Sequence, residues 1–195
     1  DYQIGQAVAD SPLGPFRKLT EEEGGLLLSA LAVESQPAGE TSTQAPSGTG
    51  HHSFVTAGNQ TFIVYHRHRD YETAGADRYT AIDEIRWITN KDGLDVMYAN
   101  GPTDSVQPLP ETYSKYKNIA GEATVTADTG ATDVGALTDG LLSMQKMFGF
   151  ADFVKETAIT KTTSFTFDFA EAKTIRALMI YNSKDVEAMF LNARV

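Results

Sequence analysis

The chain has 195 residues, with 16 Lys and Arg against 26 Asp and Glu, a formal charge of -10 and a pI near 4.8. An acidic surface without clustered cations argues against a nucleic-acid partner, whose phosphates must be neutralised. The absence of cysteine excludes disulfides, a thiolate zinc site and a cysteine nucleophile, and no apolar run approaches the ~20 residues of a membrane-spanning helix.

A composition of 41% hydrophobic and 10% aromatic residues belongs to a folded globular protein of one or two domains. The first residue is Asp1 rather than Met, the pattern of a processed or partial chain, and no basic-then-apolar signal precedes the body of the sequence.

From Tyr2 to about Val106 the sequence reads as short strands between turns. YQIGQAVA is a strand candidate, ended by DSPLGPF, where two prolines and a glycine stop regular structure. VESQPAGETSTQAPSG, Val33 to Gly48, is polar and rich in Pro, Gly, Ser and Thr, the composition of a long surface loop. SGTGHHSF then reads as a glycine-rich turn leading into an apolar run.

QTFIVYHRHRD, Gln60 to Asp70, is a strand with Phe62, Val64, His66 and His68 on one face and Ile63, Tyr65 and Arg67 on the other. Apolar residues on both faces at its start predict cover on both sides. RYTAIDEIRWITNKDGLDVMY reads as strand, tight turn and strand, with Asn90 to Gly93 supplying residues that tolerate positive φ.

GPTDSVQPLPETY, Gly101 to Tyr113, carries three prolines and reads as a linker or the entry to a second module. Beyond it EATVTADTG, SFTFDF and TIRALMIYN are strand candidates. Phe165 and Phe167 share one face of theirs, as in a half-buried antiparallel sheet. No long amphipathic helix is visible; LTDGLLSMQKMF, Leu137 to Phe148, has room for one short helix at most. The fold class is all-β in two modules.

Four kinds of chemistry can be weighed. SGTGHH lacks the Lys-Ser/Thr and the following helix of a phosphate loop. His51 and His52 are neighbours, so on a regular strand they face opposite ways and do not chelate one ion together. His66 and His68 are i and i+2 and share a face, which suits a strand-borne metal pair, although hydrogen-bonded structural histidines are the commoner outcome. Asp70, Glu72, Asp77, Asp83 and Glu84 are numerous enough for a glycosidase-type carboxylate pair, yet carboxylates of this kind are mostly solvated surface and spacing selects no pair among them. Arg78, just before a strand, is a surface charge or a planar fork aimed at a polar ligand.

The order YQIGQAVADSPLGPF, GTGHHSFV, FIVYHRHR and RYTAIDEIRW with NKDGLDV resembles the closing part of a glycoside hydrolase family 43 enzyme. That family folds as a five-bladed β-propeller and removes arabinose or xylose units from plant polysaccharides. Residues 1–106 carry the resemblance and would be the last blades. Residues 107–195, with LTDG and SFTFDFAEAKTIRALMIYN, resemble the start of a discoidin-like, galactose-binding-type β-sandwich of the kind appended to such hydrolases.

The resemblance implies that the three catalytic carboxylates come from earlier blades, upstream of this chain, which would then be inactive alone. It implies substrate-binding roles for His51, at the floor of the central channel, and for Arg78, beside the sugar. His52 would turn away into blade packing. His51 would also approach a calcium ion through its water shell. It further implies a secreted, periplasmic or cell-surface location. One and a half blades leave open sheet edges, so a missing amino-terminal propeller segment or another chain copy is expected to cover them. The alternative to a glycosidase fragment is a non-catalytic carbohydrate-binding or cell-surface adhesion protein.

Overall fold

The computed structural model describes residues 2–29, 47–68, 77–103, 105–144, 154–183 and 188–195. Among these residues regular structure consists of strands and two short 3-10 turns, Ala120–Glu122 and Val134–Leu137, so the protein is all-β. Most of the Val33 to Gly48 loop lies outside the described residues, as do Asp70, Glu72 and the end of LTDGLLSMQKMF; in the described part of that last segment only Leu137 is helical, as the end of the second 3-10 turn. No helix among the described residues is long and apolar enough to cross a membrane.

The expected single strand in YQIGQAVA is two, β1 (Ile4–Gly5) and β2 (Ala7–Val8). They pair antiparallel with different partners, β1 with β4 (Leu26–Leu28) and β2 with β3 (Arg17–Lys18). Gln6 is the cause of the break. Its side-chain amide donates to the carbonyls of Gly24 at 2.8 Å and Met97 at 2.7 Å, and its Oε1 accepts from the Met97 amide at 3.2 Å. One side chain thereby ties the amino-terminal segment to the main sheet.

That sheet is an antiparallel meander of β5 (Ser47–Ala57), β6 (Gln60–His68), β7 (Tyr79–Thr89) and β8 (Asp95–Ala99), in that spatial order. The period-two pattern of β6 predicts its faces correctly. Ile63 and Tyr65 enter one core with Ile4, Leu27, Leu28, Ile85 and Ala99, where Ile63 and Leu28 have no exposed surface and each contributes ~1.5–3 kcal/mol by burial. Phe62, on the opposite face, is buried too, so the start of β6 is covered on both sides as expected.

The turn between β7 and β8 works through Asn90, whose Oδ1 accepts from the amides of Asp92 at 2.9 Å and Leu94 at 3.0 Å. Gly93 takes the positive φ of +79° that the turn requires.

SGTGHHSF is not a turn before a strand; it is the first half of β5 itself. The ladder to β6 slips between Ser47 and Gly50 and again between Gly50 and Ser53, and His51 takes a left-handed φ of +48°. Bulged strands bend and re-aim side chains, which is why a turn-like sequence can lie within a ladder. The glycines answer to neighbours. A Cβ on Gly48 would stand 2.4 Å from the His68 ring, and one on Gly50 would stand 3.0 Å from Cβ of Tyr2.

Beyond residue 106 the strands are shorter. β9 (Thr124–Ala127) pairs with β12 (Phe165–Asp168), and β10 (Ala131–Thr132) with β11 (Ala158–Ile159). TIRALMIYN, expected as a strand, joins no ladder, and Ile175, Leu178, Met179 and Ile180 are about half exposed. Strand propensity expresses packing against neighbours rather than an intrinsic backbone preference, and no neighbouring strand lies beside it among the described residues.

Contacts cross the expected boundary at residue 106. Leu19, Val96 and Tyr98 form a second core cluster with Val154, against which Leu141 packs. The Tyr98 hydroxyl donates to the Leu142 carbonyl at 2.5 Å, and the Asn100 side chain bonds both the Gly140 carbonyl at 2.8 Å and the Leu142 amide at 3.0 Å.

Candidate functional site

The bulged half of β5, the end of β6 and the entry to β7 enclose an open depression of about 330 Å³. It is lined by His51 and Ser53 from β5, Val64 and His66 from β6, and Arg78 and Thr80 at the start of β7. The two residues singled out for substrate binding, His51 and Arg78, thus meet in one place although 26 residues separate them in the chain. The ladder explains the meeting, because Gly50 pairs with His66 and His66 with Thr80.

Tyr2, from the segment before β1, packs against two of the lining residues, Arg78 and His66. Its ring lies 5.5 Å from the Arg78 guanidinium carbon, its hydroxyl oxygen accepts from Arg78 Nη2 at 3.4 Å, and its edge meets the His66 ring at 5.2 Å between centroids. Sequence reading missed Tyr2, since nothing local marks a tyrosine near the chain start as a partner of an arginine 76 residues away.

Three imidazoles follow one another, of which His51 and His66 line the depression. His51 and His66 are 6.3 Å apart between ring centroids, and His66 and His68 are 6.1 Å apart, so the i and i+2 pair shares a side as its spacing predicts. His68 is buried, with Nδ1 2.9 Å from the Asp77 carbonyl oxygen, which anchors the entry to β7. His66 differs: its Nε2 is buried without a hydrogen-bond partner. Burial holds its pKa below the ordinary imidazole value, and Arg78, His68 and His51 push the same way by charge. His52 does not turn into packing; it is exposed and meets the equally exposed Phe54 ring edge-on at 5.3 Å, because the bulge and the left-handed His51 break the simple alternation.

Among the described residues no group of three or more His, Asp or Glu side chains is placed to hold a metal ion, so the His66 and His68 pair lacks a further protein ligand there. A hard cation takes six to eight oxygen ligands, mostly carboxylate, carbonyl and water; around His51 the described lining supplies imidazoles, hydroxyls and a guanidinium, with no carboxylate among the described residues.

The carboxylates behave unequally. Glu84 accepts from Gln60 at 2.9 Å and pairs with Arg86 at 3.0 Å, an ordinary surface arrangement. Asp83 is not surface: it is 3% exposed on the core side of β7. Its carboxylate accepts from the Tyr65 hydroxyl at 2.5 Å, the Thr103 hydroxyl at 2.6 Å and the Thr103 amide at 3.4 Å. Burial pushes its pKa up to about 6, against the opposing pull of these hydrogen bonds. The alternation of Ala81, Asp83 and Ile85 in AIDEIRW was the available signal for this inward placement.

No protein-family model matches the chain, and no curated protein matches it. A solved structure described as a thermostable family-43 glycoside hydrolase is similar, with 34% identity, coverage of 56% of this chain and 30% of that one, and a TM-score of 0.42. The chain therefore spans under a third of the length of that solved protein.

Proposed function

We propose that this chain is part of a glycoside hydrolase of the arabinofuranosidase or xylosidase type, in which the depression of His51 and Arg78 holds part of a pentose unit. On this reading residues 1–106 are the closing blades of a propeller and residues 107–195 an accessory β-sandwich. The catalytic carboxylates would be supplied by polypeptide outside these 195 residues. The observation that carries it is the meeting of His51 and Arg78, the two residues to which the family resemblance gives substrate-binding roles, in one solvent-open depression.

The residues present can bind and orient. Arg78 offers a planar fork of donors, steadied by Tyr2, to adjacent hydroxyls. His51 and the hydroxyls of Ser53 and Thr80 add both donors and acceptors. None of them is a carboxylate acid or base of the kind glycoside hydrolysis uses, which fits a contribution to substrate binding. A calcium ion near His51 belongs to this proposal only with oxygen ligands from outside the described residues, and no step is assigned to it.

The absence of carboxylates from the lining among the described residues also suits the second reading, a non-catalytic carbohydrate-binding or adhesion protein. An assay on aryl arabinofuranosides and xylosides separates the two. The 195-residue chain alone is expected to be inactive, and co-expression with the polypeptide encoded upstream of Asp1 is expected to restore turnover. Continued inactivity of the combined protein, with sugar binding intact, would favour the binding protein.

A further inference from the structure

The depression gathers groups of one electrostatic character. Arg78 is cationic, His51 and His66 bring imidazoles, Ser53 and Thr80 bring hydroxyls, and among the described residues no Asp or Glu side chain lines it. In a chain of net charge -10, a described lining of this kind is against the overall trend. Beyond a Debye length of ~8 Å at physiological salt the acidic surface is largely screened, so a bound group would respond mainly to this local set.

A second observation points to a ligand. His66 Nε2 is buried and has no partner, although buried polar groups are nearly always satisfied. The ionisable groups around it are His51, His68 and Arg78, with the Tyr2 ring at its edge, and the three charged or chargeable neighbours all oppose its protonation. A negative group seated beside Arg78 would relieve that opposition; because His66 Nε2 is shielded from solvent, its hydrogen bond to that group requires the ring to turn toward the depression. The depression's volume of about 330 Å³ falls at the lower end of small-ligand sites, ~300–1,000 Å³.

We propose that this depression binds the carboxylate of an acidic sugar, a hexuronate, with Arg78 as a charge-assisted fork and His66 as the second donor. The inference rests on the carbohydrate reading above and adds an acidic sugar to the pentose as a unit that this depression takes. Binding takes up a proton at His66, so affinity rises as pH falls, whereas a neutral pentose has no charge to produce that coupling.

The test is a titration of the whole 195-residue protein, followed through the imidazole resonances of His51 and His66, with three probes: sodium D-glucuronate, D-xylose and inorganic phosphate. Glucuronate is expected to saturate the shifts, to raise the pKa of His66, and to bind more tightly at pH 5.5 than at pH 7.5. Arg78→Ala should weaken it roughly tenfold or more, and His66→Ala should abolish the pH dependence. Arg78→Lys keeps the charge without the fork and should fall between, which guards against a folding defect in the alanine variant.

Glucuronate binding no tighter than xylose, or unaffected in both Arg78 variants, overturns the inference; saturable xylose binding in that case leaves the pentose reading standing. Glucuronate binding with no response to xylose supports the acidic ligand and counts against the pentose. Phosphate that binds as tightly and displaces glucuronate overturns the sugar-acid assignment in favour of a free-anion site.

Discussion

The Arg78 guanidinium rests against the ring of Tyr2 with its carbon 5.5 Å from the ring centre, while Arg78 Nη2 donates to the Tyr2 hydroxyl oxygen at 3.4 Å. Gly50 makes room for this contact, since a side chain there would press on Cβ of Tyr2. Tyr2 thus holds the Arg78 side chain in the lining of the depression. Exposed cation-π pairs contribute ~0.5–1 kcal/mol, so Tyr2→Ala is expected to lower stability by about that much in urea unfolding. Tyr2→Phe, which keeps the ring, should be close to neutral.

Gly48 and Gly93 both have positive φ, at +61° and +79°, but only Gly48 is crowded. A Cβ on Gly93 meets nothing within 4 Å, whereas one on Gly48 collides with the His68 ring. Gly93→Ala is expected to cost only the left-handed penalty of ~1–2 kcal/mol. Gly48→Ala should cost clearly more and shift the His68 ring resonances, as paired unfolding curves and imidazole spectra can check.

Asp83 gives the protein a pH dependence of known sign. Its folded pKa of about 6 lies above the unfolded value of 3.8, so the folded state binds the proton more tightly. The favourable contribution of this group is full below pH ~4 and is lost as pH rises through about 6. Arg67 opposes the shift by charge, as do the hydrogen bonds from Tyr65 and Thr103. The stability of the native protein relative to Asp83→Asn is therefore expected to fall between pH 5 and pH 7. An increase over that range in urea unfolding would contradict the burial argument.

Tyr98 joins β8 to the segment beyond residue 137 through its hydroxyl bond to the Leu142 carbonyl. Tyr98→Phe removes the donor and leaves a part-buried carbonyl short of a partner, a loss of ~1–3 kcal/mol. Amide exchange is expected to accelerate at Leu142, whose own bond to Asn100 is supported by the same contact, with little change in β6.

The strands built from local pattern were legible in the sequence. QTFIVYHRH alternates and was read with its faces right, and the Asn90 to Gly93 turn follows from an Asn side chain and one glycine. The features missed depend on distant partners. Gln6 breaks YQIGQAVA because Gly24 and Met97 lie within its reach, and a bulge turns SGTGHHSF into part of a ladder. TIRALMIYN has strand composition without a strand to pair with. In the site, His51 and Arg78 are named through the family resemblance, while Tyr2 and the inward Asp83 require the packed sheet.

The depression lined by His51, His66 and Arg78 is, on the proposed reading, a carbohydrate-binding surface. The most direct measurement is a titration of the 195-residue protein with methyl β-D-xyloside and methyl α-L-arabinofuranoside, read from the His51 and His66 ring resonances, in native protein and in Arg78→Lys. Saturable shifts at His51 with at least one pentoside, weakened by Arg78→Lys, are the expected result. Ring resonances that stay unmoved by either pentoside, or shifts identical in the variant, would contradict it.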